Sequence, residues 1–67
     1  MDCKKIDALI RLLRTEKGMT QLELAGHLNV SDRAVSKWER GEGCPDITFI
    51  ERLSSVLGIS TESMLKG

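Results

Sequence analysis

Five polar residues, Asp32, Arg33, Ser36, Lys37 and Arg40, share one arc of a short helical stretch at about 100° per residue, while Val35 and Trp38, flanked by Ala34, fall opposite. These side-chain types can bond the edges of base pairs. Arg and Lys donate to guanine acceptors, Asp accepts from a cytosine amino group, and Ser serves several partners. An ordinary solvated helix face carries the same charges, so the wheel alone leaves both readings open. No other part of the chain assembles a comparable set. No nucleophile stands near a plausible base, there is no phosphate-binding glycine loop, and a core this small leaves little room for a pocket, so the chain is not expected to be an enzyme, to take a cofactor or to act on a small-molecule substrate. Cys3 and Cys44 lie 41 apart with the single His27 between them and in no CxxC or CxxH pair, so no metal site is expected. His27 reads as a surface residue.

The arc must be positioned by very little protein. Sixty-seven residues support one small core and exclude a two-domain arrangement, which makes residues 1–67 a single expected domain. Ten Lys and Arg balance ten Asp and Glu, and 40% of residues are apolar, as in a globular chain that is neither disordered nor membrane-spanning. No apolar run reaches the roughly 18 residues of a membrane span, and the first ten residues are too interrupted for a signal peptide. The chain is therefore read as cytoplasmic, where a disulfide between Cys3 and Cys44 is not expected.

One Pro, six Gly, no Tyr and few β-branched runs favour helices throughout. Ile6, Leu9, Ile10 and Leu13 follow the i, i+3, i+4, i+7 rule and predict a helix over about 3–16, stopped near Gly18. Thr20-Gln21-Leu22-Glu23 reads as a capping box opening a second helix with Leu24, Ala25 and Leu28 inward. Ser31 caps a third over about 32–39, ended by Gly41, with Asp32 in its first turn. Asp46 caps a fourth, with Ile47, Ile50, Leu53 and Leu57 as its core face and Gly58 as its stop, and Ser60 caps a last turn carrying Met64 and Leu65. The second and third helices, joined by a three-residue turn, must cross steeply as a helix-turn-helix, whose second helix can enter a DNA major groove. Leu12, Leu22, Phe49 and Val56 fall off the main stripes; Phe49 and Val56 form a second stripe on helix four, open equally to core extension or partner contact.

The stretch from Thr20 to Ser60 closely resembles the Cro/C1-type, or Xre, helix-turn-helix family of bacterial and phage regulators. It meets that family's pattern TQ-x-x-LA-x-x-L-x-VS-x-x-x-(V/I)-S-x-WE-x-G-x-x-x-P almost throughout. With the outer helices included, the likeness runs over about residues 6–65. It implies an all-α, five-helix, lambda-repressor-like domain that binds double-stranded DNA, in most of the family as a dimeric transcriptional repressor. Position by position it implies base reading by Asp32, Arg33 and Lys37, with Ser36 beside them, and phosphate contact by Gln21, with Arg40 near bases or phosphates. It also implies a structural ion pair between Arg14 and Glu39, which takes Glu39 out of consideration as a catalytic carboxylate, while the wheel places Trp38 in the core. With Glu39 so engaged, Arg33, Lys37 and Arg40 against Asp32 leave a local excess of two positive charges on a chain of zero net charge. A neutral chain is no general DNA coat, and modest monomer affinity points to a homodimer. The alternative is an antitoxin or protein-interaction module built on the same fold.

Overall fold

A computed structural model describes residues 3–66, which form α1 (Cys3–Glu16), α2 (Gln21–Leu28), α3 (Asp32–Glu39), α4 (Ile47–Leu57) and α5 (Thr61–Lys66), with no strand among them. Local hydrogen bonds set the boundaries. The Thr20 hydroxyl accepts from the Glu23 N–H at 3.0 Å while the Glu23 carboxylate accepts from the Thr20 N–H at 2.9 Å, and this bond to the backbone holds the Glu23 carboxyl below its ordinary range. Helix α2 ends on Asn29 in the left-handed region (φ 58°), where Asn is among the few non-glycine residues tolerated. Ser31 accepts from the Ala34 N–H at 3.3 Å to open α3, and Asp46 accepts from the Thr48 N–H at 2.9 Å to open α4. Gly58 at φ 76° ends α4.

Every helix contributes to one core: Ile6 and Ile10 from α1, Leu24, Ala25 and Leu28 from α2, Val35 and Trp38 from α3, Ile50, Leu53 and Leu57 from α4, and Met64 from α5. Each large side chain so buried stabilises the fold by roughly 1.5–3 kcal/mol, before the opposing conformational entropy. Phe49 and Val56 lie half-buried against this core, and the Phe49 ring sits 6.0 Å from that of Trp38 in a tilted arrangement. Leu12 and Leu22 face solvent. Ile47, expected on the core face of α4, is 65% exposed. It is the first residue of the helix, and the buried stripe through Ile50, Leu53, Ser54 and Leu57 is centred about 70° from it on the wheel.

Two further features depart from the sequence reading. Cys3 and Cys44, expected as free thiols, form a disulfide with Cα atoms 5.3 Å apart. Tertiary packing brings the first turn of α1 against the loop between α3 and α4, a juxtaposition that the 41-residue separation does not reveal. Asp7, on the same face of α1 as Ile10, is only 4% exposed, and neither carboxylate oxygen has a hydrogen-bond partner among the described residues.

Burial raises the Asp7 carboxyl above its ordinary range, so the folded chain keeps this proton to higher pH than the unfolded chain does. Stability from this group is therefore greatest in acid and is lost as pH rises through the interval between the unfolded and folded values. Asp7→Asn is expected to stabilise the fold at pH 7 by about 1 kcal/mol, a rise of roughly 4–8 °C in thermal midpoint, with the gain shrinking toward about pH 4. Thermal unfolding followed by circular dichroism at both pH values checks this, and an unchanged midpoint at pH 7 would contradict it.

Candidate nucleic-acid interface

The carboxylate of Glu39, at the last turn of α3, has a side chain only 4% exposed and ties three helices together. Its Oε2 accepts from Arg14 Nε of α1 at 2.7 Å and its Oε1 from Arg14 Nη2 at 2.9 Å, a bidentate fork. The same Oε1 accepts from Gln21 Nε2, at the first position of α2, at 3.2 Å. Arg14 Nη1 donates to the Met19 carbonyl at 2.6 Å, so the turn between α1 and α2 joins the node. The hydrogen bond to Glu39 raises the Arg14 guanidinium further above its already high range.

On the far side of α3, Asp32, Arg33 and Lys37 are exposed and Ser36 is half-buried. Arg33, Ser36, Lys37 and Arg40 line one shallow depression. Asp32, Arg33 and Lys37 have no ion-pair partner among the described residues and project from a helix whose inner face is fixed by Val35 and Trp38. Arg40 differs. Its Nη1 donates to Ser36 Oγ at 3.1 Å and its Nε is paired with the Glu42 carboxylate, so the local positive excess is one charge rather than the two expected from sequence. His27 is exposed on α2, away from any cluster of possible metal ligands among the described residues.

Gln21 stands beside this face with part of its amide committed to Glu39, leaving its other N–H available. Arg11 lines a cleft with Arg14, Gln21, Ser36, Glu39 and Arg40, and it has no ion-pair partner among the described residues. The sequence reading passed over Arg11, although its place one turn before Arg14 puts it on the adjoining surface of α1.

A family model described as helix-turn-helix matches residues 10–63, the span that carries the node and the polar face. The chain belongs to the Cro/C1-type helix-turn-helix family. Within this family it is 36% identical over 58 residues to an SPbeta prophage-derived HTH-type transcriptional regulator, YonR, of Bacillus subtilis, covering 87% of this chain and 54% of YonR. It is 38% identical over 58 residues to the HTH-type transcriptional activator BcrR of Enterococcus faecalis, covering 87% of this chain and 28% of BcrR. The chain thus spans about half, or less, of the length of these relatives. Among solved structures, the P22 c2 repressor in complex with a synthetic operator superimposes with a TM-score of 0.85 at 34% identity, covering 92% of this chain and 94% of that one.

Removing Glu39 would strand the Arg14 guanidinium in a largely desolvated site, so Glu39→Ala is expected to destabilise this helix-turn-helix domain by about 3 kcal/mol or more. Replacing both partners with apolar residues, Arg14→Met with Glu39→Leu, should cost much less, because no charge is left unpaired. Urea unfolding of the single and double variants measures both, and a single variant as stable as the parent would exclude the node as a structural tie.

Proposed function

We propose that this chain is the operator-reading domain of a transcriptional repressor, acting on double-stranded DNA as a homodimer with α3 in the major groove. The observation that carries the reading is the two-sided construction of α3. Trp38 and Val35 hold its inner face while Asp32, Arg33, Ser36 and Lys37 project from the other, at a helix end pinned by Glu39. In this assignment Arg33 and Lys37 donate to guanine acceptors, Asp32 accepts from a cytosine amino group, and Ser36 adds an adaptable contact. Gln21, Arg40 and Arg11 face the phosphates on either side of the groove and fix the register. The binding of the P22 c2 repressor to its operator on the same fold supports this placement. It assigns the chain no catalysis, and it puts the protein in the compartment that holds its DNA; no described helix is long and apolar enough to cross a membrane.

Dimerisation follows from the arithmetic of affinity. A single small module presents about 600–1,000 Å² to DNA, and here it brings few unpaired positive charges, so two modules about a two-fold axis are needed for selective binding. Half-site centres would then lie about 34 Å apart. Helices α4 and α5 are the proposed contact, through exposed Ile47 and Leu65 rather than through Phe49 and Val56, which pack against the core.

Selection of sites from random duplexes supplies the probe. Arg33→Ala or Lys37→Ala should cost about 1–3 kcal/mol on the selected site and relax preference at particular base pairs, whereas Gln21→Ala should weaken all sequences about equally. Unchanged site preference in both α3 variants would exclude α3 as the reading helix. Sedimentation with and without the selected duplex tests the dimer, which predicts inverted repeats bound more tightly than isolated half-sites. A reporter carrying the site over a promoter separates repression from activation, falling expression being the expected result.

A further inference from the structure

The disulfide contributes no residue to the polar face, yet it ends on the loop that follows the reading helix. Beyond Glu42, whose N–H donates to the Lys37 carbonyl at 3.0 Å, the next backbone-to-backbone donor along the described chain is Phe49, to Asp46 at 2.8 Å. The segment between is held through side chains. Pro45 is buried, Gly43 lies close to the Trp38 ring, and Cys44 is bonded to Cys3. Both cysteines are half-buried residues rather than members of the sealed core, and exchange proceeds by a thiolate reaching one of the two sulfurs.

The other end of that bond is the first turn of α1. This helix is tied to the α3 region twice, at Cys3 by the disulfide and at Arg14 by the Glu39 node, about 16 Å apart along its axis. Between the ties lies Asp7, buried without a hydrogen bond. An unsatisfied carboxylate favours any motion that lets it meet water, and the disulfide opposes that motion. With the bond opened, the first turns of α1 and the loop at residues 43–46 lose their covalent anchor, and the region of α3 that carries Lys37 and Arg40 keeps only one of its two ties to α1, the Arg14–Glu39 node.

We propose that Cys3 and Cys44 are a thiol–disulfide modification site through which a cellular dithiol–disulfide couple sets DNA affinity, the oxidised chain being the tight binder. In the reducing direction a dithiol thiolate attacks one sulfur, the Cys3–Cys44 bond breaks through a mixed disulfide, and the donor leaves as a disulfide. Two electrons and two protons thereby pass to the cysteines. Oxidation is the reverse, with a disulfide oxidant accepting the pair. The inference rests on the DNA-reading assignment above.

The test compares the chain oxidised with glutathione disulfide, the chain reduced with dithiothreitol, and the Cys3→Ser/Cys44→Ser variant, with duplexes selected separately by the oxidised and reduced forms. Alkylation read by mass should find no free thiol in the oxidised chain and two in the reduced chain. Affinity for the selected duplex should fall roughly fivefold or more on reduction, with a thermal midpoint lower by roughly 10 °C. The serine variant should match the reduced chain and ignore reductant. Asp7→Asn should narrow the gap between the two redox forms, and a gap left unchanged would remove Asp7 from the device. A chain that forms no bond with glutathione disulfide, or equal affinities in both forms even with different midpoints, overturns the switch and leaves the DNA assignment standing. Failure of both forms to select any duplex overturns both.

Discussion

One buried carboxylate organises the surface that the fold presents. Glu39 receives two hydrogen bonds from Arg14 and one from Gln21, so α1, α2 and α3 converge on a group of only two oxygens. Apolar packing could hold these helices with comparable stability, but it would not fix them with the same angular definition. A bidentate fork specifies both distance and plane, and here it also reaches the Met19 carbonyl in the turn between α1 and α2. The placement of Gln21 relative to the outer arc of α3 therefore depends on its hydrogen bond to Glu39 as well as on the hydrophobic core.

The electrostatics are economical. The chain has zero formal net charge, and one basic residue at the end of α3 is already paired with Glu42. Local arrangement must then do what net charge does in more basic DNA-binding domains: Arg33 and Lys37 stand clear of carboxylate partners, with Arg11 and Arg40 at the flank. Such a surface gains little from counterion release and correspondingly more from geometric fit, which shifts the balance from affinity toward discrimination.

What could be read from the residues follows the range of the interactions. The starts of α2, α3 and α4 were legible because Thr20 with Glu23, Ser31 with Ala34, and Asp46 with Thr48 are contacts within three residues. The core stripes are legible because helical period sorts them, and Ile47 is exposed because it opens the helix about 70° away from the centre of the buried stripe, which runs through Ser54 as well as the apolar residues. The disulfide stayed hidden because it depends on where α1 lies against the loop after α3, and compartment reasoning argued against it. Asp7 does leave a trace: Cys3, Asp7, Ile10 and Arg14 recur at spacings of four, three and four, a continuous stripe in which an acidic residue one turn before Ile10 shares the inward face. Arg11 was passed over because the importance of its cleft depends on α1, α2 and α3 meeting in space.

The single tryptophan has a consequence of its own. Trp38 is the chain's only indole and the sequence contains no tyrosine, so nearly all near-ultraviolet emission originates on the inner side of α3, 6.0 Å from the Phe49 ring and beside Gly43. The protein thus carries a built-in optical gauge on the back of the helix whose front carries the polar arc. Its emission wavelength reports whether that helix is seated in an apolar bed or lifted toward water, without any added label and without a probe on the outer surface.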